Sequence, residues 1–273
     1  KIIHPREKGH FYNVAHYEDK FYILSDKDAI NFKLMEVELN EPSINNWKEI
    51  IAHREKVMIE DLEIFRDYLI LTENHGGVYK IRIINWTTKE EHYIPFEEET
   101  YVAYPSANPD FNTETLRYTY TSLKIPYSVF EYNMKKRENK LVNRKEVLGG
   151  YDPSEYESER LWALANDGTK IPISIVYKKG LKKNGKNPVY IEGYGAYGYS
   201  SYPDFNTIRL NFLDRGFIYA IAHVRGGSDL GRQWYDDGKL LKKKNTFTDF
   251  ISCVEYLINK KYTSKGLIAA KGT

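Results

Sequence analysis

The 273-residue sequence contains a single cysteine, Cys253. That excludes an intrachain disulfide and any cysteine-built metal cluster. Cys253 falls on the apolar stripe of an expected helix, where a small buried residue is a better reading than a nucleophile. No run of 18 apolar residues exists, so no helical membrane span is expected. The formal net charge is only +2, which leaves nucleic-acid or membrane-surface binding without a global electrostatic basis. A basic run at Lys239, Lys242, Lys243 and Lys244 reads as a solvated turn before a helix, with a phosphate contact as the alternative. No cofactor or metal motif is present, and neither ligand is expected. The opening Lys1-Ile2-Ile3-His4-Pro5 has neither an initiating Met nor the character of a signal peptide.

Tyrosine, by contrast, is abundant at 24 residues, a bias that favours strands. From residue 10 to about 148 the pattern is short strands separated by polar turns. Strands starting at Phe21, Tyr68 and Leu116 recur roughly 47 residues apart. Each is followed by an alternating strand (32–37, 78–84, 127–132) and a short closing one (49–51, 91–94, 141–147). A period of about 40–50 residues with four strands per unit predicts β-propeller blades. A β-sandwich or meander is the competing architecture. Three blades cannot close a ring of about four to eight, so their open edges imply further partners.

The pattern changes near Gly149. Residues 160–166 and 170–177 read as a hairpin around Asp167-Gly168, taken as a two-residue turn. A strand at 189–192 is expected next. Asn206 then caps a helix reaching Asp214, which Gly216 ends. A strand over 217–224 follows. Asn245 or Thr246 should cap the clearest helix, with Phe247, Phe250, Ile251, Val254, Leu257 and Ile258 on one apolar face. A last strand covers 267–270. This alternation implies a parallel sheet covered by helices. Two apolar strands, 189–191 and 217–224, each open directly onto a Gly-rich turn. In open α/β sheets, ligands bind at such carboxyl ends.

Several segments carry a more specific signal: Gly193-Tyr194-Gly195, Leu213-Asp214-Arg215-Gly216-Phe217, His223-Val224-Arg225-Gly226-Gly227 and Gly231-Arg232-Gln233-Trp234-Tyr235. With Asp237-Gly238-Lys239 and residues 241–247, they make the chain resemble the prolyl oligopeptidase family of serine peptidases, near-collinearly from about Phe11 and most closely in its oligopeptidase B branch. The resemblance implies the last three blades of a seven-bladed β-propeller (1–148) and the N-terminal part of an α/β-hydrolase domain (149–273). It also implies an oligopeptidase that cleaves short peptides, after Arg or Lys, through an acyl-enzyme. A proline-specific member and a catalytically dead binding protein are the alternatives.

The family's nucleophile occupies a Gly-x-Ser-x-Gly-Gly elbow after the strand that ends here near Ala270. Gly272-Thr273 would supply its first two positions. The Ser, and the Asp and His that follow it, then lie beyond this chain, which alone is expected to be inactive and poorly stable. The remaining polypeptide or a complementary chain is the expected partner, alongside peptide substrates. The resemblance assigns Tyr194 as the oxyanion donor; packing within a Tyr-rich turn is the blander role. Arg225 reads as a structural ion-pair residue rather than a substrate contact, His223 as a hydrogen-bonded core residue, and Trp234 and Tyr235 as packing residues. A cytoplasmic location is expected, with the periplasm as the alternative.

Overall fold

The structure, a computed structural model, describes residues 2–272; Thr273, the x position of the expected elbow, lies outside them. The first half of the chain forms three consecutive four-stranded antiparallel meanders. The first is β1 (Tyr12–Tyr17), β2 (Lys20–Ser25), β3 (Lys33–Glu38) and β4 (Lys48–Ile51). The second is β5 (Met58–Ile64), β6 (Tyr68–Asn74), β7 (Tyr79–Asn85) and β8 (Glu91–Tyr93). The third is β9 (Tyr101–Pro105), β10 (Thr115–Ser122), β11 (Ser128–Asn133) and β12 (Glu138–Arg144). Three strands of each meander match the sequence reading, and the structure adds the leading strands β1, β5 and β9.

The sheets stack through their faces. Leu24, Leu34 and Tyr22 of the first meet Ile59, Leu69 and Leu71 of the second. Ile70, Ile81 and Ile83 meet Tyr101, Leu116 and Tyr118 of the third. Sandwiched between neighbours, β6 is buried along its whole length, whereas β12 is exposed throughout. The tyrosine surplus fills the space between sheets: Phe96 stacks on Tyr120 with ring centroids 5.2 Å apart, and Tyr118 on Phe130 at 5.4 Å.

One buried charge sits at the end of β6. The Glu73 side chain is fully buried, yet it accepts hydrogen bonds from His75 Nε2 (2.8 Å), Tyr93 Oη (2.8 Å), Arg82 Nη1 (3.2 Å) and the Arg54 guanidinium. Burial raises its pKa, but the bonds from His75, Arg54 and Tyr93 outweigh it and bring it from 4.5 down to about 2. A depressed carboxylate stabilises the fold above its unfolded pKa and loses that contribution as pH falls through the folded value. Stability measured by urea denaturation therefore declines from about pH 4.5 towards pH 2, and Glu73→Gln flattens this part of the profile. An unchanged acid limb in that variant would remove Glu73 from the account.

The second half is a five-stranded sheet of order β13-β14-β16-β15-β17. It comprises β13 (Tyr156–Leu164), β14 (Lys170–Lys178), β15 (Val189–Glu192), α1 (Thr207–Leu213), β16 (Ile218–Ala222), α2 (Arg232–Asp236), α3 (Lys244–Asn259) and β17 (Ile268–Lys271). The sheet is mixed rather than parallel: β13, β14 and β16 pair antiparallel, and only β16, β15 and β17 run parallel. The hairpin makes the difference, because β14 returns beside β13 before the crossovers begin. Its turn also departs from expectation. Ala165 N bonds Thr169 O at 2.9 Å and Gly168 takes φ +83°, so three residues connect the strands, with glycine in the left-handed position.

Helices cover both faces. α3 brings Cys253 and Leu257 onto Ile171, Ile173 and Ile191. On the opposite face, Leu213 of α1 packs with Val176, Tyr219 and Ile221. Asn206 caps α1 as expected, accepting from Ile208 N at 2.8 Å, and Gly216 follows the helix at φ +80°. α3 departs from the reading in two ways. It begins at Lys244 without a side-chain cap, because a 3-10 turn leads straight into it. Asn245 and Thr246 use their side chains elsewhere, on Asp237 O (2.9 Å) and Arg225 O (2.6 Å). Its apolar stripe is also only partly covered, with Phe247 62% and Ile251 55% exposed. Among the described residues no helix is long and apolar enough to cross a membrane.

Candidate active site

The carboxyl ends of β15, β16 and β17 lie side by side because these strands are parallel. At the end of β15 the chain turns sharply through Gly193, Tyr194 and Gly195. Both glycines are required by space. A Cβ on Gly193 would fall 2.9 Å from the Phe250 ring, and one on Gly195 would fall 2.6 Å from Thr246 Cγ2 and Val224 Cγ2. Gly195 also sits at φ +61°. Its carbonyl is held by the Lys243 ammonium (2.5 Å) and Thr246 Oγ1 (3.3 Å). Burial lowers the Lys243 pKa. The turn is thus fastened from α3, and one member of the basic run is a fastener rather than a solvated charge. Lys239 and Lys242 pair with Asp236 and Asp237.

This arrangement sets the half-buried Tyr194 beside the end of β17, where Gly193 N donates to Lys271 O at 3.2 Å. Its ring meets Tyr199 edge-on at 6.4 Å, and its hydroxyl makes no hydrogen bond among the described residues. Tyr194 lines a groove of about 500 Å³ whose wall is largely apolar: Val224, Phe247, Phe250, Ile251 and Ala270. Tyr194 thus brings to an apolar groove beside a strand terminus a phenol that has no hydrogen bond among the described residues, a group able to donate to a developing oxyanion. The sequence reading picked out Tyr194 but missed the groove wall, because a helical stripe does not reveal which of its residues stay uncovered.

The other singled-out residues build the scaffold. Arg225 forms a two-pronged pair with the fully buried Asp249 (Nε–Oδ2 2.8 Å, Nη2–Oδ1 2.6 Å) and reaches Asp167 at 2.6 Å. The Arg225 hydrogen bond, helped by Thr169, holds the Asp167 carboxyl down at about 2. Trp234 is buried and donates to His223 O at 3.1 Å. Cys253 is fully buried, which pushes its thiol pKa up.

His223 joins Ser174 (Nε2–Oγ 2.7 Å) to Asp229 (Nδ1–Oδ1 2.8 Å). The residue types are those of a serine-hydrolase triad, but the surroundings are not. Ser174 is 0% exposed, His223 2% and Asp229 4%, and the Ser174 hydroxyl is already shared with Thr100 at 2.7 Å. No substrate reaches that oxygen. The chain of hydrogen bonds instead ties the segment before β9 to the five-stranded sheet. The same seam includes Tyr127 to Asp204 (2.6 Å), Phe205 N to Thr121 (3.1 Å) and the Arg160 guanidinium on the Gly76 and Gly77 carbonyls. These links join residues far apart in sequence, so no local motif signals them.

Stacked four-stranded meanders, sealed against an α/β sheet whose strand β15 ends in a tyrosine-bearing turn, define a two-part architecture. Residues 1–145 match the prolyl oligopeptidase N-terminal β-propeller domain, and residues 203–273 match the prolyl oligopeptidase family. The chain belongs to the prolyl oligopeptidase family. It is 40% identical to dipeptidyl aminopeptidase BI of Pseudoxanthomonas mexicana over 99% of the chain and 38% of that protein. It is 34% identical to protease 2 of Moraxella lacunata over 100% of the chain and 39% of that protein. The structure of oligopeptidase B from Leishmania major superposes with a TM-score of 0.92 at 35% identity, covering 100% of this chain and 39% of that one. The chain thus spans about two fifths of the length of these relatives.

Proposed function

We propose that the whole protein is a serine-type oligopeptidase that hydrolyses short peptides after Arg or Lys, and that Tyr194 supplies one oxyanion hydrogen bond. The observation that carries this reading is the unbonded Tyr194 hydroxyl, held beside the end of β17 where the family's nucleophile follows. The nucleophilic Ser and its His and Asp lie, on this reading, in the part of the protein beyond Thr273. The Ser attacks the scissile carbonyl, the His takes its proton and returns it to the leaving amine, and the Asp orients the His. A relative, oligopeptidase B from Trypanosoma brucei, is 34% identical and has been solved with antipain covalently bound, in keeping with a covalent mechanism.

On the same reading, residues 1–148 supply the last three blades of a seven-bladed propeller that restricts entry to short or unstructured peptides. Residues 149–273 begin an α/β-hydrolase domain, supported by the strand order β13-β14-β16-β15-β17. The exposed Phe247 and Ile251 are then covered by the segment after β17, and the 273-residue chain alone is inactive. A cytoplasmic location goes with this reading, with the periplasm as the alternative.

The test is hydrolysis of dibasic fluorogenic peptides by the full-length protein. Cleavage after Arg or Lys is expected, with Pro-containing analogues turned over much more slowly. The reverse order would select the proline-specific reading, and no turnover of either by folded protein would overturn peptidase function. A second reading, release of dipeptides from a free amino terminus, is favoured by the 40% identity to dipeptidyl aminopeptidase BI. Acetylating the substrate amine abolishes turnover under that reading and leaves it intact under the first.

A further inference from the structure

The segment leading into β1 carries His4, Glu7 and His10, each three residues from the next. It lies folded against the first sheet. Tyr12 Oη donates to His4 O at 2.6 Å, and the His10 ring is wedged among His4, Tyr12 and Trp47 with centroids 5.3–6.1 Å apart. The His10 side chain is 4% exposed and that of His4 14%, while Glu7 closes the group from the solvent side at 49%. Glu7 Oε2 lies 3.3 Å from His4 Nε2 and 3.7 Å from His10 Nδ1. The three donor atoms, one from each side chain, all lie within 4.8 Å of one another.

Two observations give this cluster meaning. His10 Nε2 is engaged by Ser25 Oγ at 2.8 Å, whereas His10 Nδ1 is buried and has no hydrogen-bond partner. When Nε2 donates to Ser25, Nδ1 presents a lone pair 3.7 Å from a Glu7 carboxylate oxygen, and a cation between them satisfies both. Lys27 Nζ, 3.1 Å from Glu7 Oε2, supplies a charge from outside but does not satisfy Nδ1. The spacing also fits a metal. Tetrahedral zinc with bonds of about 2.0–2.1 Å holds its ligand atoms about 3.3–3.4 Å apart, close to the two separations about Glu7.

We infer that His4 Nε2, a Glu7 carboxylate oxygen and His10 Nδ1 bind a divalent transition cation of the zinc type, with water in the fourth position. Two neutral imidazoles and one carboxylate suit such an ion better than calcium or magnesium, which take oxygen donors. Ser25 plays the outer partner that fixes the tautomer and orientation of a metal-bound histidine. The bound ion clamps residues 4–10 onto β1 and β2. Lys27 competes for Glu7 and must give way when the ion enters.

The test is zinc titration of chelator-treated full-length protein, followed by calorimetry and by metal content after dialysis. Wild type is expected to bind one equivalent more than Glu7→Gln, with micromolar affinity, and zinc should raise its Tm. His10→Ala should weaken this site at least about tenfold, as even loss of an outer partner can. Lys27→Met should tighten it. His16→Ala, whose exposed ring rests on Glu18 O at 2.8 Å, should leave it unchanged. Cobalt in place of zinc should give visible absorption bands that vanish in Glu7→Gln, a surface change that does not endanger folding. Equal metal uptake by wild type and Glu7→Gln, or none by either at millimolar zinc, would overturn the site.

Discussion

Replacing Tyr194 by Phe in the full-length protein lowers kcat about 100- to 1,000-fold. That is the usual effect of removing one oxyanion donor, about 3–4 kcal/mol of barrier. KM should stay within about threefold, because the lost bond forms only as charge develops on the carbonyl oxygen. The fold should be unaffected, since the hydroxyl makes no hydrogen bond among the described residues and the ring stays in place against Tyr199. Steady-state kinetics on one Arg-containing peptide, with a circular-dichroism melt of the same sample, checks both parts. A change of less than about fivefold in kcat would return Tyr194 to simple packing. A large loss of stability would assign it a structural role instead.

Replacing Arg225 by Ala destabilises the fold by about 3–5 kcal/mol, the range for breaking a buried ion pair from one side. The cost arises from what stays behind. Asp249 is fully buried, and Arg225 supplies it with Nε, Nη2 and the backbone N–H, the last at 3.0 Å. Removing the guanidinium strands a carboxylate in a dry site. The double variant Arg225→Ala with Asp249→Ala should lose less than the sum of the two single changes, because the stranded charge is gone. Urea denaturation of the four proteins measures this. If Arg225 instead contacted substrate, Arg225→Ala would raise KM and leave the denaturation midpoint where it was.

The strands were the most legible part of the fold, because alternation along one strand is a local signal. The leading strands escaped notice for local reasons too. β5 carries a register shift between Ile59 and Asp61 that breaks the alternation, and β1 alternates weakly because half of it is exposed and none of it is fully buried. The α3 boundary misleads because Asn245 and Thr246 have the chemistry of caps but spend it on the Asp237 and Arg225 carbonyls. Its apolar stripe is legible as a stripe, but a stripe does not say what covers it. Gly-Tyr-Gly at 193–195 stood out as a motif, and the structure adds the reason for the glycines. The Thr100–Ser174–His223–Asp229 joint is legible only at His223, which reads as a hydrogen-bonded core residue; Ser174 and Thr100 come from separate elements far away in sequence, so no local pattern names them as its partners. The pairing of His4 and His10 about Glu7 was missed as well, because the residues lie ahead of the first strand and look like an ordinary polar lead-in.

The central claim is that the catalytic Ser follows β17, within reach of Tyr194, and that the Ser174–His223–Asp229 chain is structural. Labelling the full-length protein with a fluorophosphonate and mapping the modified peptide tests it directly. One label per chain, on the first Ser after Thr273, is the result expected, together with complete loss of hydrolysis. A folded protein that takes no label, or one labelled at Ser174, would contradict the account.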